Sequence, residues 1–568
     1  MKHTVIAIGL DAADPELLER WISEGHLPHL DRLRRQSGNG EIRNTVNHAG
    51  QAVETCSTER LWTMTWTSCL PDKTGFWDTS KFYPKSYHIS RDELEIGCDF
   101  KEYPPFYAFL GEDRRVAAFD LPATGLSDRV NGVQILGWGG HFPFTPSHSL
   151  PEQALPDLIA RYGHNEVLDN DHGHWSDKAY ANWLRQALQE SIATRCQISL
   201  DFLQQEDWDL FLMTFPETHS AGHDLWHLSQ ADHPIYAACK PKFAADHDPM
   251  LEVFQAVDQA IGQIVAAAPA DAYVLCFAVH GMDTNTTDLL SMAILPELLY
   301  RFNFPGKVGL AAGKPGTPPP PVITKPLRSS WPAQVWMCTH EPNPLRRFVR
   351  QWLPKRYLPD DHADGLIPPW RLMRQGVDPG WMPTMWYSAL WPQTKAFALP
   401  SFADGHIRIN LAGREHAGII PPEDYNSLCA ELTDLLYDLR DARTGQPVVS
   451  QVVRTRRYPT EDEDRERLPG PDLVVLWNKQ NPIDVADSSR CGRIGPLPHP
   501  RPGSHRPTGF VMAKGPGITP GSSFPEGQAI DLGPTILQLL EVPLPDHFDG
   551  RPLEAIAHAR TLANAGAG

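Results

Sequence analysis

Four apolar runs, far apart in the chain, each stand beside polar residues that can bind a metal. VIAIGLD ends in Asp11. DLFLMTFPE leads into ETHSAGHDLWH, which carries His219 and His223. AYVLCFAVHG ends at His280, and His505 precedes GFVMAKGPGI. Each run is nearly all apolar with little alternation, which predicts a buried parallel strand. Ligands of open α/β sheets bind outside the carboxyl ends of the strands. One carboxylate and four imidazoles gathered at such an edge, with His505 added by a loop, make a nitrogen and oxygen site suited to Zn²⁺ or Mn²⁺.

Between these runs the chain alternates. ADPELLERWISEGHLPHLDRLRRQ predicts a helix broken at Pro28, with Leu17, Leu18, Trp21 and Ile22 at helical spacing. RVAAFDLP and VQILGWGG predict two further strands, residues 152–206 a helical stretch, and 251–268 an amphipathic helix. The expected fold is α/β, a doubly wound and mostly parallel sheet flanked by helices. Residues 303–394 break the pattern with GKPGTPPPPVITKP and seven of the chain's 17 tryptophans, which are expected to pack the insert. The expected organisation is a core of 1–302 and 395–568 interrupted by a Pro/Trp-rich insertion at 303–394. AFALP, HIRINL, DLVVLWN and a helix at 422–440 would resume the core, and DLGPTILQLL would close it.

The 568 residues carry a net charge of −18, which argues against a nucleic-acid or anionic-membrane surface. Nine scattered cysteines without a CxxC pair predict free thiols in a reducing compartment. The short apolar stretch at the N-terminus runs into acidic residues, and no run of about 20 apolar residues follows. A cytoplasmic protein without a membrane span is expected. There is no GxxxxGK and no GxGxxG, so neither phosphate loop accounts for the α/β pattern.

Together these strings resemble the alkaline phosphatase superfamily, in its type I phosphodiesterase/nucleotide pyrophosphatase branch. VIAIGLDAADPELLERW is similar to its opening strand and metal-binding aspartate. HRPTGFVMAKGPGI is similar to its late strand, and AIDLGPTILQLLEVPLPDHFDGRPL to its closing segment. The likeness covers roughly residues 1–300 and 395–555 and implies an alkaline phosphatase-like fold. The family places a Thr or Ser nucleophile ahead of a T-x-x-x-W-T pattern and a Pro-x-x-x-Gly. Thr58 to Thr63 and Pro71 to Gly75 fit that register, which makes Thr58 the expected nucleophile, with Ser57 and Thr63 as fallbacks. A rival register aligns Trp66-Thr67-Ser68 instead. The resemblance implies one metal on His219, His223 and His505 and a second on Asp11, Thr58 and His280.

Two family carboxylates are missing. His219 stands for one and remains a competent ligand, whereas Val279 stands for the other and cannot bind metal. The second site then needs Glu217, Asp283 or Asn285 as a replacement, and a one-metal enzyme is an open alternative. His227 shares a helical face with His219 and His223 and is a candidate ligand or supporting group. CSTER invites comparison with the sulfatase signature, but Thr58 occupies its proline position. In HIRINL, alternation puts Ile407 and Ile409 on one face and His406, Arg408 and Asn410 on the other, so Arg408 and Arg414 are candidate substrate-binding residues.

The expected activity is metal-dependent hydrolysis of a phosphodiester, pyrophosphate or phosphomonoester through a phospho-threonine. The cofactor would be one or two divalent ions, Zn²⁺ or alternatively Mn²⁺, and the partner a small phosphorylated substrate. The alternatives are a phosphomutase-like transferase, a sulfatase-like hydrolase and a non-catalytic scaffold with a decayed site.

Overall fold

The computed structural model describes residues 3–91, 98–139, 146–165, 167, 173–243, 247–323, 330–341, 343–353, 358, 364–460 and 467–557. In chain order, the first half forms β1 (Val5–Leu10), α1 (Pro15–Ser23), α2 (Pro28–Gln36), β2 (Gly38–Arg43), α3 (Thr58–Thr67), β3 (Val116–Phe119), β4 (Gly132–Leu136), β5 (His148–Leu150), α4 (Lys178–Gln205), β6 (Leu210–Phe215), α5 (Glu217–Ser229), α6 (Pro249–Ala267) and β7 (Tyr273–Ala278). Then follow β8 (Gly281–Thr284), β9 (Ala396–Leu399), β10 (Gly405–Ile409), β11 (Val449–Arg454), β12 (Leu473–Trp477), β13 (Gly503–Arg506), β14 (Thr508–Lys514) and α7 (Leu532–Leu539), with shorter pieces between them.

The main sheet has the order β2-β14-β7-β1-β6-β3-β4-β5. Strands β7, β1, β6, β3 and β4 run parallel, with Val5 paired to Leu210 on one side and Tyr273 on the other. The fourth apolar run departs from expectation, because β14 lies antiparallel to both β7 and β2. An apolar run specifies burial and not direction, and no crossover helix links β13 to β14 to force a parallel return.

Alternation along the strands feeds two cores. Ile6, Ile8 and Leu10 join Phe211, Met213 and Phe215 beneath α1, α2, α4, α5 and α6. Val5 and Ala7 join Leu210 and Leu212 on the other face, under α3 and α7. Covering both faces is what makes these strands apolar throughout. The helix starts are equally local. Asp14 caps α1 by accepting from the Leu17 N–H, and Asp248 caps α6, each followed by a proline in the first turn. The break expected at Pro28 is the start of α2.

Strands β9, β10, β12 and β11 form a separate antiparallel sheet rather than extending the main one. Its core takes in the apolar residues of 289–300 and the tryptophans 331, 336, 370, 386 and 391 of the insertion. Those five rings are buried and pack the insertion, as their sequence density suggests. All nine cysteines are free. Among the described residues, no helix is long and apolar enough to cross a membrane.

Candidate active site

Parallel pairing brings three strand ends to one edge. Leu10, the last residue of β1, pairs with Phe215, and β7 ends alongside them. Asp11 follows β1, α5 with His219 and His223 follows β6, and His280 follows β7. Asp11 is fixed at both main-chain ends: its N–H donates to Phe215, and its carbonyl accepts from Thr218 Oγ1. His505 arrives on β13, paired with β8 so that it stands opposite Met282. Gly503 makes that approach possible, since a Cβ there would lie 2.0 Å from the Gly222 carbonyl on α5.

Among the described residues, His219, His223 and His505 form the group able to hold a metal, with ligand atoms within 4.8 Å of one another. His219 Nε2 lies 2.7 Å from His223 Nε2 and 3.1 Å from His505 Nε2. Their other ring nitrogens decide what this means. His219 Nδ1 donates to Asp11 Oδ2 at 2.8 Å, and His223 Nδ1 donates to the Gly503 carbonyl at 2.9 Å. Both partners only accept, so both Nε2 atoms carry lone pairs and face each other. With both rings neutral, two acceptors at that separation need a positive charge between them, which a metal ion or a proton on one ring supplies. Oxygen partners of this kind are what orient metal-bound imidazoles. Tetrahedral Zn²⁺ at about 2.0–2.1 Å from each nitrogen sets the nitrogens about 3.3 Å apart, so His219 and His223 would open by roughly 0.6 Å and His219 and His505 by roughly 0.2 Å. The residues fit a single divalent ion.

A second ion is less well provided for. Asp11 Oδ1 accepts from Trp62 Nε1 at 2.8 Å and lies 3.5 Å from His280 Nε2. His280 is fully buried, and neither of its ring nitrogens has a hydrogen-bond partner. Burial pushes its imidazole down to about 4, against the opposing pull of Asp11. Val279 points into the core beneath α3. None of the three candidate replacements joins the cluster. Glu217 accepts from Ser191 and from Arg195, which also pairs with Asp120 at 2.8 Å. Asp283 is exposed on β8, and Asn285 donates to Asp288 and to the Arg501 carbonyl.

Thr58 opens α3, so its hydroxyl sits at the positive end of that helix. Thr58 Oγ1 lies 3.1 Å from His505 Nδ1 and 3.3 Å from His505 Nε2. Two neighbours fix the helix start. Arg60 donates to the Trp77 carbonyl and to Thr55. Trp62 stacks on Trp66 and reaches Asp11, using space that a Cβ at Gly9 would fill, at 2.9 Å from the indole. The fallbacks fare worse: Ser57 occupies the cap position of α3, and Thr63 donates to the Ala123 carbonyl within the helix body. The rival Trp66-Thr67-Ser68 lies at the far end of α3, where Thr67 bonds back to Thr63 and Trp66 to the Pro122 carbonyl. Cys56 is buried, and burial pushes its thiol up to about 11, which leaves it inert.

Arg408 and Arg414 are not at the histidine centre. β10 is buried on both faces, so the polar face expected there is internal. Arg408 pairs with Glu415 at 2.7 Å, and Arg414 grips both oxygens of Asp472 at 2.7 Å. His227 lies on α5 as spaced, but it packs edge-on against Trp175 instead of joining the other histidines. Asp224 accepts from Tyr180. Arg501 and Asp288 join the site without having been foreseen from the sequence. Arg501 Nη1 stands 2.8 Å from His223 Nε2, and its Nε donates to Asp288 Oδ2 at 2.7 Å. A lone arginine between Pro500 and Pro502 carries no motif; its only signal is its place four residues before His505.

The family model described as type I phosphodiesterase / nucleotide pyrophosphatase matches residues 5–299. No curated protein matches the chain. Among solved structures, it is similar to phosphonoacetate hydrolase from Sinorhizobium meliloti 1021 in complex with phosphonoformate, at 12% identity over 99% of this chain and 96% of that one, TM-score 0.42. It is also similar to human ectonucleotide pyrophosphatase/phosphodiesterase 5, at 12% identity over 98% and 99% of the two chains, TM-score 0.44. The murine form of that protein gives 11% identity over 95% and 96%, TM-score 0.42.

Proposed function

The chain belongs to the type I phosphodiesterase/nucleotide pyrophosphatase family, hydrolases acting on phosphoester bonds, and on that premise we propose a phosphohydrolase that works with one divalent ion and a Thr58 nucleophile. The observation carrying this reading is the position of Thr58 Oγ1, 3.1 Å from His505 and beside the imidazoles that need a positive charge between them. His219, His223 and His505 would hold the ion, Zn²⁺ by their nitrogen-only donor set and Mn²⁺ as the alternative. When bound, it supplies Lewis-acid stabilisation of negative charge and lowers the pKa of nearby hydroxyls.

The protein's own groups account for the rest. Asp11 orients the His219 ring and balances positive charge. The first turn of α3 presents Thr58 with helix N–H groups that favour an incoming anion. Thr58 Oγ1 attacks phosphorus and loses its proton, the bond to the leaving oxygen breaks, and the leaving group takes up a proton. Water then attacks the Thr58 phosphoester, releasing phosphate or a phosphomonoester and restoring the hydroxyl. Burial of Thr58, His219 and His223 limits access of bulk water to the first step. The substrate is a small phosphorylated molecule, and the second sheet with its insertion would shape access to it.

The test is turnover of p-nitrophenyl phosphate and bis-p-nitrophenyl phosphate with Zn²⁺ or Mn²⁺, followed by mass spectrometry of acid-quenched protein. A phosphoryl adduct on the peptide carrying Thr58 is expected. Full turnover by Thr58→Ala would remove Thr58 from the mechanism.

A further inference from the structure

The histidine centre has a protein cation built against it that the mechanism above leaves unused. Arg501 reaches to 2.8 Å from His223 Nε2. Its guanidinium also lies 5.3 Å over the Phe402 ring, and the side chain stays 21% exposed, open to an incoming molecule. Behind it, Asp288 is completely buried. Its Oδ2 takes the Arg501 Nε at 2.7 Å, and its Oδ1 takes Ser504 Oγ at 2.9 Å. Asn285 ties the same parts together. Its side chain donates to Asp288 and to the Arg501 carbonyl, both at 3.0 Å, while its main-chain N–H donates to the Pro502 carbonyl. Arg501 is therefore held at its Nε edge with its Nη1 end turned to the histidines.

That placement is unfavourable for metal binding alone. A guanidinium beside imidazoles that hold a divalent cation repels it. A second-ion position would be poor in carboxylates, because Val279 stands where the family resemblance leads one to expect an acid. An oxyanion seated at the centre resolves both problems, since it is attracted by the ion and by the guanidinium. Arginine is also the side chain whose planar fork matches phosphate oxygens.

Resting on the phosphohydrolase reading, we propose that Arg501 binds a non-bridging oxygen of the phosphoryl group at the three-histidine centre and supplies there the positive charge that a second ion would otherwise bring. Asp288 is its positioning residue. It touches no substrate and holds the guanidinium at one angle.

The experiment compares wild type with Arg501→Met, Arg501→Lys and Asp288→Asn. Each protein is loaded with zinc, its zinc is measured by ICP-MS, and binding of inorganic phosphate is followed by calorimetry, with p-nitrophenyl phosphate turnover in parallel. Arg501→Met should keep its zinc, bind phosphate at least about 10-fold more weakly and lose roughly 10²–10³-fold in kcat/KM. Arg501→Lys, which keeps the charge and is the milder test of folding, should recover part of the phosphate affinity. Asp288→Asn should weaken phosphate binding with thermal stability and zinc content near wild type, a split that a merely structural residue would not give. Phosphate binding and kcat/KM of Arg501→Met within about threefold of wild type would overturn the proposal. So would a rise in zinc affinity with phosphate binding unchanged, which would make Arg501 only a lock on the empty histidines. If wild type binds phosphate but turns over no ester, the hydrolase reading fails, and the phosphate comparison still decides the role of Arg501.

Discussion

Two buried polar clusters in this molecule look alike in composition and differ in how their bonds close. In the second sheet, Asp472 accepts from both Nη atoms of Arg414, from Arg456, from Tyr425 and from the Ile409 N–H. Glu415 likewise accepts from Arg408, Arg414 and the Leu411 N–H. Every charge there meets an opposite charge or a donor. At the edge of the main sheet, His219 and His223 turn acceptor nitrogens toward each other, and an arginine presses in beside them. The first arrangement pairs its charges within the protein, whereas the proposed cation and phosphoryl group would complete the second. The pairing of opposite charges, rather than the presence of charged side chains, separates structure from site.

The comparison breaks most sharply at Thr58. Thr58→Ala should lower turnover by roughly 10³-fold or more while leaving zinc content unchanged, read by steady-state kinetics beside ICP-MS. In the closed cluster, Asp472→Ala strands the guanidiniums of Arg414 and Arg456. It should cost about 3–5 kcal/mol by urea unfolding, with zinc per folded molecule unchanged. Asp11→Asn weakens the partner of His219 Nδ1. A roughly 10–100-fold loss of zinc affinity is expected in competition with a chelating dye.

The smallest effect is a slope in pH. Burial alone would raise the Asp472 carboxyl, but Arg414 and Arg456 overcome it and hold it well below the usual carboxylate range. A carboxyl depressed in the folded state stabilises the fold above its ordinary value of 3.8, and that contribution is lost as pH falls further. Wild type should therefore lose stability below about pH 4 more steeply than Asp472→Asn, measured by thermal melts across that range. Parallel slopes would mean the closed cluster is not coupled to acid unfolding.

Much of the main sheet was legible because strands buried on both faces leave unbroken apolar runs, as in β1, β6 and β7. The residues just past those runs followed, since parallel pairing brings the strand ends to one edge. The direction of β14 was not legible, because Gly509–Ala513 reads the same in either orientation. β10 misled for a related reason. Its alternation of Ile407 and Ile409 with His406 and Arg408 looks half-exposed, yet the strand is buried on both faces and Arg408 is paired with Glu415. Arg501 and Asp288 were invisible because their roles exist only once β13 and the chain after β8 lie together, more than 200 residues apart in sequence.

Zinc stoichiometry of the purified protein and of His223→Ala, after zinc loading and dialysis, bears most directly on the reading of the three histidines as a metal centre. One tightly held equivalent in wild type and none in the variant is the predicted result. A zinc-free wild type, or a variant that keeps its zinc, would contradict it.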